Sequence, residues 1–180
     1  TDVTPPVVTQ FWPPDYLLTS ADTVRVGGTV ADETAGTVSV NGRPAFPTPG
    51  SYRDSITFAA DGHYTITTHA LNSARLATDV VRHVIRDKLA PTIVTLRPIA
   101  DTTVVSPADS FTIAGYVADT TTTKFSIDGV GVFSDSGKAV GFTYTYHLDV
   151  GQNGILCRAV DRAGHTTEFK RWIFRQPAAE

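Results

Sequence analysis

Hydrophobic residues in this chain recur at every second position rather than every third or fourth. Val24, Val26, Gly28 and Val30 alternate with Thr23, Arg25, Gly27 and Thr29, the period of two that a strand shows when one face is buried and the other wet. Val38 and Val40 alternate into Asn41-Gly42 before Pro44-Ala45-Phe46 resumes. Asn-Gly between two such runs predicts a type I′ hairpin, because both central residues adopt positive φ. Ile56 and Phe58 carry a further strand, Tyr64, Ile66, Thr68 and Ala70 share one face of the next, and residues 78–86 form the last. Val7 and Val8 follow Pro5-Pro6 as a short first strand, since proline is tolerated at strand starts. Phe11-Trp12-Pro13-Pro14-Asp15 then interrupts the alternation. The pattern predicts about seven strands over the first half.

The second half replays this order about 87 residues later, a period too long for a solenoid unit and suited to whole domains. Phe111 to Asp119 answers Val24 to Asp32, with Gly115 on Gly28. Phe125 and Ile127 lead into Asp128-Gly129 as Val38 and Val40 lead into Asn41-Gly42. Phe142, Tyr144, Tyr146 and Leu148 alternate, Ile155, Cys157 and Ala159 stand on Ile66, Thr68 and Ala70, and Phe169 and Ile173 stand on Val80 and Val84. The reading is all-β: two tandem β-sandwiches, residues 1–87 and 88–180, each large enough for its own core. Asp87-Lys88-Leu89-Ala90-Pro91 restarts the pattern begun at Asp2-Val3-Thr4-Pro5-Pro6. It holds no Gly/Ser tract and is stiffened by Pro91, so the domains are expected to meet end to end with limited bending.

Composition sharpens this picture without supplying chemistry. Threonine makes up about one residue in seven, with frequent Val and Ile, which favours pleated strands over helices. The net charge of -3, with Lys and Arg scattered singly, leaves no basic stripe for nucleic acid or an anionic membrane. One cysteine, Cys157, excludes an intrachain disulfide; matched to the inward Thr68, it is expected to be a small buried hydrophobe. With no methionine, no apolar run near membrane-spanning length and no secretion signal, the chain is expected to be a segment of a longer protein, its targeting and anchoring lying elsewhere.

The series Asp2 to Pro6, Val26 to Asp32, Val38 to Gly42, Asp61 to Ile66 and Ala159 to Gly164 resembles the bacterial immunoglobulin-like (Big-type) repeats of surface adhesins and secreted multidomain proteins. The resemblance covers nearly the whole chain and implies immunoglobulin-like sandwiches of an extracellular or cell-surface protein. It implies a non-catalytic spacer or stalk, adhesive or assembly-forming, with neighbouring domains, other protein subunits or glycan as partners. The alternative is an accessory carbohydrate-binding module pair of a secreted glycan-acting enzyme. The run Asp61 to Ile66 also resembles a tyrosine corner, a tyrosine hydroxyl bonded back to nearby backbone. The second copy has Asn153 in place of Tyr64, so its corner is expected to be held another way.

Two kinds of site are candidates. Trp12, beside Phe11, Pro13, Pro14 and Tyr16, is one aromatic platform for a pyranose face, and Trp172 with Phe174 is another; burial in a core or junction is the competing use of such residues. In an end-to-end pair, the turns carrying Asp119 and Asp161 are expected at the pole of the second domain beside Asp87, with Asp61 on the opposing turn. Calcium, which takes six to eight oxygens, is the cofactor such carboxylates would hold; the competing reading is that each caps a turn. No catalytic residue is assigned. His63, His69, His83, His147 and His165 lack metal-type spacing, and no glycine-flanked serine nucleophile accompanies them.

Overall fold

The computed structural model describes residues 2–34, 36–48, 50–105, 108–136 and 139–177. The chain divides into two compact units, Thr1–Lys88 and Leu89–Glu180. Among the described residues the regular elements are all strands, joined by turns, bends and irregular segments.

In domain 1 the strands are β1 (Val7–Trp12), β2 (Leu17–Thr19), β3 (Thr23–Ala31), β4 (Gly36–Val40), β5 (Arg43–Pro44), β6 (Phe46–Thr48), β7 (Ser51–Thr57), β8 (Gly62–Asn72) and β9 (Ala77–Arg86). One sheet runs β1-β3-β7-β6 and the other β2-β9-β8-β4-β5. The inward residues predicted by alternation, Val24, Val26, Val40, Phe58 and Ile66, meet between them in one buried cluster, which Tyr52 and Val84 complete. Asn41 and Gly42 both have positive φ, 48° and 76°, as the hairpin reading requires.

Domain 2 has β10 (Thr92–Arg97), β11 (Thr102–Val105), β12 (Ser110–Ala118), β13 (Thr122–Ile127), β14 (Val130–Ser136), β15 (Val140–His147), β16 (Gly151–Val160) and β17 (Thr166–Gln176). Its sheets run β10-β12-β15 and β11-β17-β16-β13-β14. Ile113, Val117, Phe125, Ile127, Phe142, Leu148, Ile155, Cys157 and Ile173 fill its core. Asp128 and Gly129 repeat the hairpin turn at φ 46° and 80°.

The stretch 11–15 is not simply a break. β1 continues to Trp12, and a bulge between Gln10 and Trp12 shifts the register so that Gln10 pairs with Gly28 and Trp12 with Gly27. After the cis Trp12-Pro13 bond the chain crosses to the opposite sheet, where β2 pairs parallel with β9. Domain 2 repeats the device: a bulge between Thr95 and Arg97, a cis Arg97-Pro98 bond, and β11 parallel to β17. Gly28 and Gly115 make the crossing possible. A Cβ on either would stand 2.0 Å from the carbonyl oxygen of Thr9 or Val94 in the neighbouring strand, so only glycine lets the backbones close.

The two corners are held by different side chains with the same reach. In domain 1 the Tyr64 hydroxyl donates to the Ala60 carbonyl at 2.6 Å. In domain 2 the Asn153 side chain accepts the Asp149 N–H at 2.9 Å and donates to the carbonyls of Asp149, Gly151 and Ile173. Both residues thus tie strand to turn four positions upstream.

Candidate functional site

The bulge in β1 decides where Trp12 goes. It turns the indole onto the outer face of the β1-β3-β7 sheet, where Trp12 is 62% and Phe11 56% exposed. A groove of about 1060 Å³ opens there, lined by Phe11, Trp12, Pro14, Arg25, Gly27 and Arg53 among others. Tyr16 is separate from it, across on the other sheet. It adopts positive φ (57°) and stacks one ring face on His83, centroids 4.8 Å apart.

Trp172 and Phe174 share the outer face of β17, as alternation predicts, at 39% and 45% exposure. Trp172 pairs across strands with Gly154, and a Cβ at Gly154 would lie 2.4 Å from the indole. The benzo ring therefore fills the space that a side chain on Gly154 would take. Lys170 Nζ stands 5.8 Å from the ring centroid, near the limit of cation–π contact. A smaller cleft beside it is lined by Asp101, Thr102, Thr103, Gln152, Trp172 and Phe174.

The carboxylates of Asp61, Asp119 and Asp161, three of those considered for calcium, accept hydrogen bonds within their own domain. Asp61 receives Arg86 Nη1 at 2.6 Å and the Lys88 N–H at 3.1 Å. Arg86 also reaches Asp22, as does Lys88 Nζ. These contacts hold the Asp22 carboxyl below the usual carboxylate range, with the Arg86 bond the main cause. Asp87 donates its backbone N–H to Thr19. Asp119 accepts the N–H and hydroxyl of Thr121, both at 3.1 Å. Asp161 accepts the His165 N–H at 2.8 Å and lies 2.7 Å from its Nδ1. The Arg162 N–H donates to Thr121 Oγ1 at 3.2 Å, so the Asp119 and Asp161 turns share one pole of domain 2.

Three histidines face carboxylates: His69 with Asp79, His83 with Asp15 and His165 with Asp161. Cys157 is fully buried among the core residues of domain 2. Burial, and then the nearby Asp128 charge, push its thiol up to about 11.

Residues 6–87 match the family described as Glucodextranase, domain B, a span that coincides with domain 1. The paired sheets, the strand that changes sheets and the corner occur in both halves. Both halves have the immunoglobulin-like sandwich fold. A chain of the crystal structure of Dpr11 IG1 bound to DIP-gamma IG+IG2 is 10% identical, covering 96% of this chain and 100% of that chain at a TM-score of 0.61. The I67-I69 fragment of the titin I-band is 12% identical, covering 98% of this chain and 67% of that chain, with a TM-score of 0.57. Fibronectin(III)-like modules of Clostridium thermocellum CbhA are 22% identical over 96% of this chain and 95% of that chain, at a TM-score of 0.41. At these identities the first two likenesses establish the immunoglobulin-like fold alone. No curated protein sequence matches the chain. Among the described residues, no helix is long and apolar enough to cross a membrane.

Proposed function

We propose that this immunoglobulin-like pair is a non-catalytic spacer segment of a larger bacterial secreted or cell-surface protein, placing neighbouring domains at a fixed separation. The observation that carries the proposal is the brevity of the join. Each domain closes its own core, and only residues 87–91 separate β9 from β10. Pro91 lies within that segment and glycine does not, which favours stiffness over free swinging. The test is a distance distribution between labels on the two domains, by pulsed electron resonance, for the native chain and for a variant with residues 87–91 replaced by a Gly/Ser linker. A narrower native distribution supports the spacer; indistinguishable distributions overturn it.

A second reading, an accessory glycan-binding pair of a secreted enzyme, is favoured by two observations. Domain 1 matches a domain named for a glycan-acting enzyme, and Trp12 and Trp172 both present indoles to solvent.

A further inference from the structure

The strand register around Trp12 places three residues in one row across the outer face of domain 1. Trp12 on β1 pairs with Gly27 on β3, and Gly27 pairs with Arg53 on β7. Two strand spacings, about 10 Å, separate the outer members, and the middle member has no side chain. The row is therefore an indole and a guanidinium facing each other over a gap floored by glycine. Arg25, two residues before Gly27 on the same face and paired with Ser55, adds a second guanidinium beside the first.

The charge of this groove is not internally balanced. Asp54 also lines it, but Asp54 is engaged by Arg43 at 3.4 Å with its side chain 11% exposed. Among the described residues neither Arg25 nor Arg53 enters an ion pair, while Arg43 and Arg86 supply those of the arginines of domain 1. Two exposed guanidinium forks beside two exposed aromatic rings call for a ligand with both an anion and an apolar ring face. A carboxylate matches the fork geometry of arginine. The C–H face of a pyranose packs on the negative face of an indole.

The second domain keeps the bulge and loses the chemistry. In the equivalent row, Arg97 replaces Trp12, Ala114 replaces Gly27 and Thr143 replaces Arg53. The Arg97 guanidinium lies over the Phe111 ring, 5.3 Å from its centroid. The arrangement thus belongs to domain 1 and is not a consequence of the fold.

We propose that the Trp12–Gly27–Arg53 groove binds an acidic, uronate-bearing glycan chain, with a pyranose ring stacked on Trp12 and a carboxylate held by Arg53 and Arg25. This deepens the glycan-binding reading and is independent of the spacer role. Affinity electrophoresis of the full chain in gels containing polygalacturonate, dextran or poly-L-glutamate tests it. The expected result is retardation by polygalacturonate that weakens as salt is raised. Trp12→Ala and Arg53→Gln each lose at least tenfold in affinity at an unchanged melting temperature, and Trp172→Ala binds as the native chain does. Equal retardation by dextran overturns the acidic assignment and leaves the glycan reading standing; no retardation by either glycan overturns both. Retardation by poly-L-glutamate that survives Trp12→Ala points to an acidic protein partner and overturns the proposal. Should either variant melt early, salt-independent binding of the native chain to polygalacturonate also overturns it.

Discussion

The backbone N–H of Trp172 donates to the Asp101 carboxylate at 2.9 Å, and in domain 1 the N–H of His83 donates to Asp15 at 2.7 Å. Each aspartate lies in the loop between the strand that pairs with one sheet and the strand that pairs with the other. Each fixes that loop to the last strand of its domain. The carboxyl of Asp15 is held below the usual range, chiefly by that His83 N–H. A depressed carboxylate contributes stability that is present above its unfolded value and lost as pH falls through the folded one. Asp15→Ala is expected to lower the melting temperature of domain 1 by a few degrees at neutral pH. The difference from the native chain closes in acid, below about pH 3.8, as calorimetry across pH checks.

The two corners predict unequal costs. Tyr64→Phe removes one hydrogen bond at an exposed carbonyl and costs about 1 kcal/mol. Asn153→Ala strips partners from the Asp149 N–H and from three carbonyls at a buried position, at about 2–3 kcal/mol. Denaturant titrations of the full chain, followed by residue-resolved NMR so that each domain is seen separately, check the ranking.

Gly28→Ala and Gly115→Ala press a methyl into a neighbouring carbonyl oxygen. Backbone cannot swing aside as a side chain does, so each is expected to cost at least about 3 kcal/mol, the upper end of overpacking effects. Hydrogen exchange would show β1 or β10 losing protection first.

Cys157 is expected to resist labelling in the native state. Its folded thiol value, pushed up to about 11, lies above the ordinary 9.0, so the proton is retained in the folded state while the unfolded state releases it. The contribution to stability is full below pH 9.0 and is lost as pH rises towards about 11. The rate of alkylation against pH measures this directly; rapid modification at pH 8 is the contrary result.

Much of the fold is legible in the sequence because its signals are local. The alternation from Val24 to Val30, the Asn41-Gly42 and Asp128-Gly129 turns, and the equivalence of Gly28 and Gly115 all appear as read. The corner at Tyr64 does too, and domain 2 indeed holds its own by another side chain. Less legible are β2 and β11, three and four residues long, which exist only by pairing with strands far along the chain. The bulge at Trp12 inserts a residue into a period of two, so the sequence there resembles a break when it is a continuing strand. Of the groove, Trp12 is visible as an aromatic beside prolines. Arg53 carries no signal of its own, since only the pairing Trp12–Gly27–Arg53 brings it to the site. Gly154 is likewise unremarked until Trp172 is found covering it.

The parallel pairing of β11 with β17 has a mechanical meaning. Thr102 to Val105 lie against Ile173 to Gln176, one strand near the start of the domain and the other at its end. Tension through the two ends of the domain pulls these strands past each other along their lengths. The hydrogen bonds between them run across that direction, so they bear the load together rather than opening one at a time. β2 and β9 do the same for domain 1. Each domain therefore carries, in a few residues, a clasp oriented to resist being drawn out by its ends.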